Sequence, residues 1–197
     1  MAQIQMTQYT TAIVQSPTIG LIKDAGHFND IEKVISSEGT GGINTKNPII
    51  KLIVRHGAVI DGIDITYKKS DGSTSIVSHG TNSSCTDTSL HTDPVDIADG
   101  EQIIAVTGTH GSTTTWGTRV VNLQFAIFNT STGVLRLSKQ FGNAKGPSSF
   151  SVTANGNFVS FGGYSIDTNL SIAQAINRGA EGGVYGLFFH DVVYSTV

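Results

Sequence analysis

The chain of 197 residues has only 14 % charged side chains and a net charge of −3, with 38 % hydrophobic residues. That length suits one β domain, abundant Ile, Val and Thr argue against disorder, and the lack of a basic stripe argues against a nucleic-acid partner. No apolar run approaches the ~18–20 residues that a membrane-spanning helix needs, and Cys85, the single cysteine, has no intrachain disulfide partner, as in a reducing compartment.

The N-terminal stretch MAQIQMTQYTTAIVQ lacks the basic and unbroken apolar regions of a secretory signal. This predicts a cytoplasmic location, or release without a signal peptide. Residues 1–16 alternate weakly and stop before Pro17, which predicts an N-terminal arm or extra edge strand ahead of a domain over 17–197. Period-two alternation then dominates. Ile50, Leu52 and Val54 share one face, as do Ile63, Ile65 and Tyr67. The clearest run is Val121, Leu123, Phe125 and Ile127, and Phe150/Val152 and Tyr185/Leu187/Phe189 repeat the rule. Asp71-Gly72, Asp99-Gly100, Gly108, Thr132-Gly133, Gly142-Asn143, Asn155-Gly156 and Gly162-Gly163 mark turns between the runs. Short strands separated by turns in this way predict an antiparallel sandwich, barrel or prism. One short helix is expected at 168–178, capped by Thr168 or Asn169 and stopped by Gly179.

Nothing in the pattern points to catalysis. No G-x-S-x-G elbow occurs, and His190 and Asp191, adjacent on a strand, point to opposite faces. The six histidines show no zinc spacing. Asp93, Asp96, Asp99 and Glu101 form an acidic stretch that matches no EF-hand and reads as a solvated turn. The chain is therefore read as a non-enzyme without metal or cofactor. Trp116, in a Thr-rich hairpin, is expected to pack at the edge of the core.

Several segments, in order, resemble the jacalin-related lectins. They are IIKLIVRHGAVIDGIDITY (49–67), DGEQIIAVTGTHG (99–111), VVNLQFAIFNTSTG (120–133), FGNAKGPSSFSV (141–152), NFVSFGGYSID (157–167) and GVYGLFFHDV (183–192). The resemblance implies an all-β fold: a β-prism of three four-stranded antiparallel sheets with pseudo-threefold symmetry. It also implies a monosaccharide site where a glycine loop meets a G-x-x-x-D loop. A hexose needs a fixed carboxylate to accept from its hydroxyls and backbone N–H groups to donate to them, and glycine lets the backbone come close.

Two G-x-x-x-D patterns fit. In Gly163-Tyr164-Ser165-Ile166-Asp167, Asp167 would be the acceptor, Ser165 and Ile166 the N–H donors, and Tyr164 a contact face. Gly26, flanked by His27, would supply the facing loop. Gly57-Ala58-Val59-Ile60-Asp61, with Gly80 opposite, is a candidate second site. A second alignment puts the insertion at 165–182 inside the first loop and Gly183 at the aspartate's place. The uncut loop resembles the mannose- or glucose-type members rather than the galactose type. The expected partners are glycans or glycoproteins, bound weakly at each site and strengthened by homo-oligomerisation, with no membrane insertion. The alternative is a β-prism serving as a protein-interaction or structural module with a degenerate sugar pocket.

Overall fold

The computed structural model describes residues 9–23, 26–36 and 42–196; residues 1–8 of the expected arm lie outside this range. In chain order the elements are β1 (Tyr9–Gln15), β2 (Ile19–Gly20), β3 (His27–Asn29), α1 (Asp30–Ser36), β4 (Ile49–His56), β5 (Ile60–Lys68), β6 (Thr74–Gly80), β7 (His91–Asp96), β8 (Glu101–Thr113), β9 (Gly117–Asn129), β10 (Leu135–Leu137), β11 (Ser148–Thr153), β12 (Phe158–Ile166), α2 (Ile172–Asn177) and β13 (Gly183–Thr196).

The strands form three antiparallel sheets, each built on a central hairpin. Their orders are β6-β5-β4-β7, β10-β9-β8-β11 and β3-β12-β13-β1, with β2 also on β13. β1 pairs with residues 190–196 of β13 and β2 with Gly186 and Leu187, so the last sheet is also four strands wide. In the first two sheets the two strands after the hairpin flank it. In the third, the hairpin lies at the C-terminal end and the N-terminal strands take the flanking places. This is the β-prism expected from the sequence, with its threefold repeat closed by the two ends of the chain.

The predicted inward faces meet in the middle. Leu52, Val54, Ile63, Ile65, Leu123 and Phe125 are fully buried, joined by Phe161 and Phe189, whose rings meet edge to face at 5.0 Å. Removing such side chains from water is the main driving force for assembling the sheets. Alternation is lost where both faces of a strand are covered: residues 59–65, 157–163 and 183–192 are each buried without interruption, and Gly108 and Gly162-Gly163, expected at turns, lie instead inside β8 and β12. In β13 this shows clearly. There the outward-facing Phe188 is covered by His27 at 5.9 Å and His190 at 5.4 Å.

Two polar clusters are also buried. Asp30, at the start of α1, takes His79 Nε2 at 2.7 Å on one oxygen and the Tyr67 O–H at 2.7 Å on the other. Arg55 donates to both oxygens of Asp64 at 2.7 and 2.5 Å and to the Thr81 carbonyl at 3.2 Å. This pairing satisfies ions that would be costly to bury alone.

The predicted helix is shorter than expected and differently capped. Ser171, not Thr168 or Asn169, is the cap: its Oγ accepts from the Gln174 N–H at 3.2 Å, and Gln174 Oε1 accepts from the Ser171 N–H at 3.3 Å. The S-x-x-Q spacing of this capping box was present in the sequence. Thr168 is spent elsewhere, bridging to Thr81 and donating its N–H to the Gly80 carbonyl at 3.1 Å. Gly179, at φ +66°, follows the helix end as expected.

Gly80 shows how tightly the hairpin ends are fitted together. Its φ is +76°, and a Cβ there would lie 2.4 Å from the Asp61 carbonyl. Gly72 has a similar φ of +86° but open space around it. Gly72→Ala should therefore cost only the backbone term, about 1–3 kcal/mol. Gly80→Ala should cost clearly more, because a paired backbone carbonyl has to move. Urea denaturation midpoints of the two variants check the order; equal losses would show that the contact at Gly80 is not limiting.

Candidate functional site

The β4–β5 turn (57–59), the β8–β9 turn (114–116) and the long β12–β13 connection (167–182) gather at one end of the prism. Between them lies a cavity of about 300 Å³. Asp61 lines it from the start of β5, and the Gly57–Val59 turn, Asp87, Asn143 and Trp116 surround it, with the first turn of α2 on one side.

Asp61 is 4 % exposed. One oxygen accepts from the Ile172 N–H at 2.7 Å and the other from the Gly57 N–H at 3.2 Å. Among the described residues no cation lies within salt-bridge distance of it. Burial accordingly pushes its carboxyl up to about 6, against the opposing pull of the two N–H groups and the more distant Arg119. Each of its oxygens has a further lone pair to offer. The neighbouring turn is held from behind, where the Asn143 and Ala144 N–H groups donate to the Ala58 carbonyl at 3.0 and 2.8 Å. Asp87 is differently placed. It accepts from the Ser171 O–H and from the Ser89 O–H at 2.7 Å and N–H at 2.9 Å, which keeps its carboxyl below the usual range.

Trp116 stands at the tip of the β8–β9 hairpin, half buried against Val59, Val121 and Ile172. This is the core-edge packing expected of it, but part of its face borders the cavity. Arg119 fixes the hairpin by donating Nε–H to the Trp116 carbonyl and Nη1–H to the Gly182 carbonyl at 3.1 Å.

The residues singled out first, Gly26, His27 and 163–167, do come together, though as part of a sheet. Gly163 lies inside β12, between Phe28 and Leu187, so the expected loop begins only after Ile166, which still pairs with Gly183. The Ser165 N–H is used by the Gly26 carbonyl at 2.9 Å. The Tyr164 ring meets His27 at 5.3 Å. Asp167 is exposed, and one of its oxygens accepts from the Gly80 N–H at 2.7 Å and the Ser165 O–H at 2.8 Å. Gly80 is thus turned toward Asp167. Across the neighbouring opening, Lys23 Nζ lies 2.5 Å from Glu181 and 4.2 Å from the centre of the Tyr185 ring.

A family model described as the jacalin-like lectin domain matches residues 23–172. The chain belongs to the jacalin-like lectin family. The match ends at Ile172, the first residue of α2. Solved structures share the fold at low identity. Malaysian banana lectin superposes with a TM-score of 0.61 at 14 % identity, over 94 % of this chain and all of the other. A mannose-specific jacalin-related lectin from Morus nigra, in complex with mannose, gives 0.62 at 18 %, over 94 % and 98 %. A mannose-binding jacalin-related lectin from Ananas comosus gives 0.56 at 20 %, over 94 % and 99 %. Among curated proteins, none matches.

Other polar groups singled out in the sequence of this jacalin-like lectin are paired elsewhere in the fold. Asp93 is paired with His56 at 2.8 Å and Lys139 at 2.5 Å, and Glu101 with Arg136 at 2.6 Å. Asp99 accepts from Asn47 Nδ2 at 3.1 Å. Ser160 Oγ lies 2.8 Å from His190 Nδ1, but at 0 % and 4 % exposure neither meets a substrate. Asp87, Asn143 and the approach of α2 to Asp61 were not foreseen. They come from distant parts of the chain, and only the G-x-x-x-D signal at 57–61 pointed to this place.

Proposed function

We propose that this jacalin-like lectin domain binds mannose- or glucose-type glycans without altering them, and that the principal sugar sits in the cavity against Asp61. The observation that carries this reading is a buried carboxylate with no cationic partner on the wall of an open cavity that also presents an indole face. Such a carboxylate can accept from two adjacent hydroxyls, while the aromatic covers the apolar side of the ring. The mannose-binding Morus nigra and Ananas comosus lectins, which share the fold, support the choice of sugar class. At Asp167, by contrast, the expected Ser165 donor and part of the carboxylate are already engaged within the protein. The Gly26–Asp167 region is therefore the secondary candidate.

Single-site binding should be weak, on the order of 0.1–1 mM, and useful avidity then comes from self-association. The test is calorimetric titration with methyl α-mannoside and methyl α-glucoside. Asp61→Ala is expected to lower affinity at least tenfold, and Asp167→Ala to leave it within threefold. The reverse result would move the site to Asp167. Because the ionised acid is the better acceptor, affinity should also fall as pH drops through about 6. If the folded protein binds neither sugar, nor any glycan on an array, the β-prism is better read as a protein-interaction module. The engagement of Asp167 within the protein is what favours that second reading.

A further inference from the structure

Trp116 borders not one concavity but three. Besides the Asp61 cavity, it lines a hollow of about 450 Å³ with Thr113, Thr115, Lys145 and Pro147. It also lines one of about 380 Å³ with Lys23, Ile176, Glu181 and Tyr185. The hollows are contiguous: Ile172 is shared by the first and third, Thr115 by the second and third. One central indole, packed on Val59, Val121 and Ile172 with its backbone carbonyl bound by Arg119, is therefore surrounded by shallow basins lined with hydroxyls, short side chains and a few charges. None is a deep apolar slot of the kind that would hold a peptide side chain.

From this arrangement we infer that the ligand is an oligosaccharide of at least three units that wraps around Trp116, with one unit against Asp61 and its neighbours in the two flanking basins. This rests on the sugar-binding reading above and names its substrate class. Successive pyranose rings present C–H faces and hydroxyl edges, which suits an aromatic ridge between polar hollows. The α2 insertion has a defined role in this scheme: its Ile172 lines both the Asp61 cavity and the Tyr185 basin, and its Ile176 lines the basin.

The test is titration with monosaccharide and trisaccharide in parallel: methyl α-mannoside against linear α-mannotriose, and methyl α-glucoside against maltotriose. In the wild type one trisaccharide per chain should bind at least tenfold more tightly than its monosaccharide, beyond the roughly threefold that a choice of three sugar units gives by statistics. Trp116→Ala should reduce that gain to threefold or less. Ala180→Trp fills the Tyr185 basin from an exposed position; it should abolish the gain and leave monosaccharide affinity unchanged. Monosaccharide binding with no gain for the trisaccharide would overturn the extended site alone, as would a gain that survives both variants. Binding of no sugar by the folded wild type would overturn the sugar-binding reading and this one together.

Discussion

Asp30→Ala is expected to destabilise the domain by about 3–5 kcal/mol, the range for removing one member of a buried, fully hydrogen-bonded network. Asp30 is 0 % exposed, and its two oxygens hold His79 of β6 and Tyr67 of β5. The Tyr67 hydroxyl in turn accepts the Phe161 N–H of β12 at 3.1 Å. The Phe28 ring lies over His79 with 3.5 Å between centroids, closing the site to water. Alanine takes away the carboxylate partner of the buried His79 imidazole and leaves the Tyr67 O–H with nothing to donate to, although the phenol oxygen still accepts the Phe161 N–H, and each uncompensated group costs about 1–3 kcal/mol. Asp30→Asn keeps one acceptor and should lose roughly half as much. Because the network joins α1, the β4–β7 sheet and the β12–β13 sheet, the loss should appear as a lower denaturation midpoint with an unchanged slope. A loss below about 1 kcal/mol for Asp30→Ala would show that the pair merely fills space.

The second large effect concerns Asp61 and pH. Its carboxyl is raised to about 6 in the folded protein, from an ordinary value near 3.8 in the unfolded chain, chiefly through burial. Between these values the folded state holds a proton that the unfolded state has released, so stability falls as pH rises. The contribution is complete below about 3.8 and lost above about 6, and it amounts to roughly 3 kcal/mol. Asp61→Asn, which mimics the neutral acid, removes the titration. The stability difference between wild type and Asp61→Asn should therefore move against the wild type by about that amount from pH 3.5 to pH 7. Parallel pH profiles for the two proteins would refute the raised carboxyl. Sugar binding and folding pull in opposite directions at this residue: the ionised form that best accepts hydroxyls is the one the fold tolerates least.

The inward faces of the central strands were legible because they need only local information. Val121, Leu123, Phe125 and Ile127 alternate in the chain and are all buried in the fold. The β-prism itself was reached through the order of the segments that resemble the family. The site was legible only in part. The G-x-x-x-D spelling at 57–61 marks a turn with its acid, but nothing near it in the chain says that the capped end of α2, more than a hundred residues later, will donate Ile172 N–H to that acid. The G-x-x-x-D at 163–167 has the same spelling and another outcome, since β3 and β13 hold Gly163 and Tyr164 in a sheet. Strand pairing, which is non-local, decides between a turn and a strand there. The error in the helix cap was local and avoidable, because S-x-x-Q at 171–174 is a stronger start signal than a lone Thr or Asn.

The sheet completed from both ends of the chain also sets an order of events on the ribosome. Gln15 pairs with His190, and Gly20 with Gly186. β1 and β2 therefore have no partner until β13, far later in the chain, has emerged. The β4–β7 and β8–β11 sheets are each contiguous in the chain and can form beforehand. Closing the third requires the longest loop in the molecule, and pairings of that kind are the slow ones in folding. β13 is made after β1 to β12, yet it is the central partner of β1, β2 and β12. A ribosome that stops before β13 releases a prism with one wall missing, not one with a frayed edge.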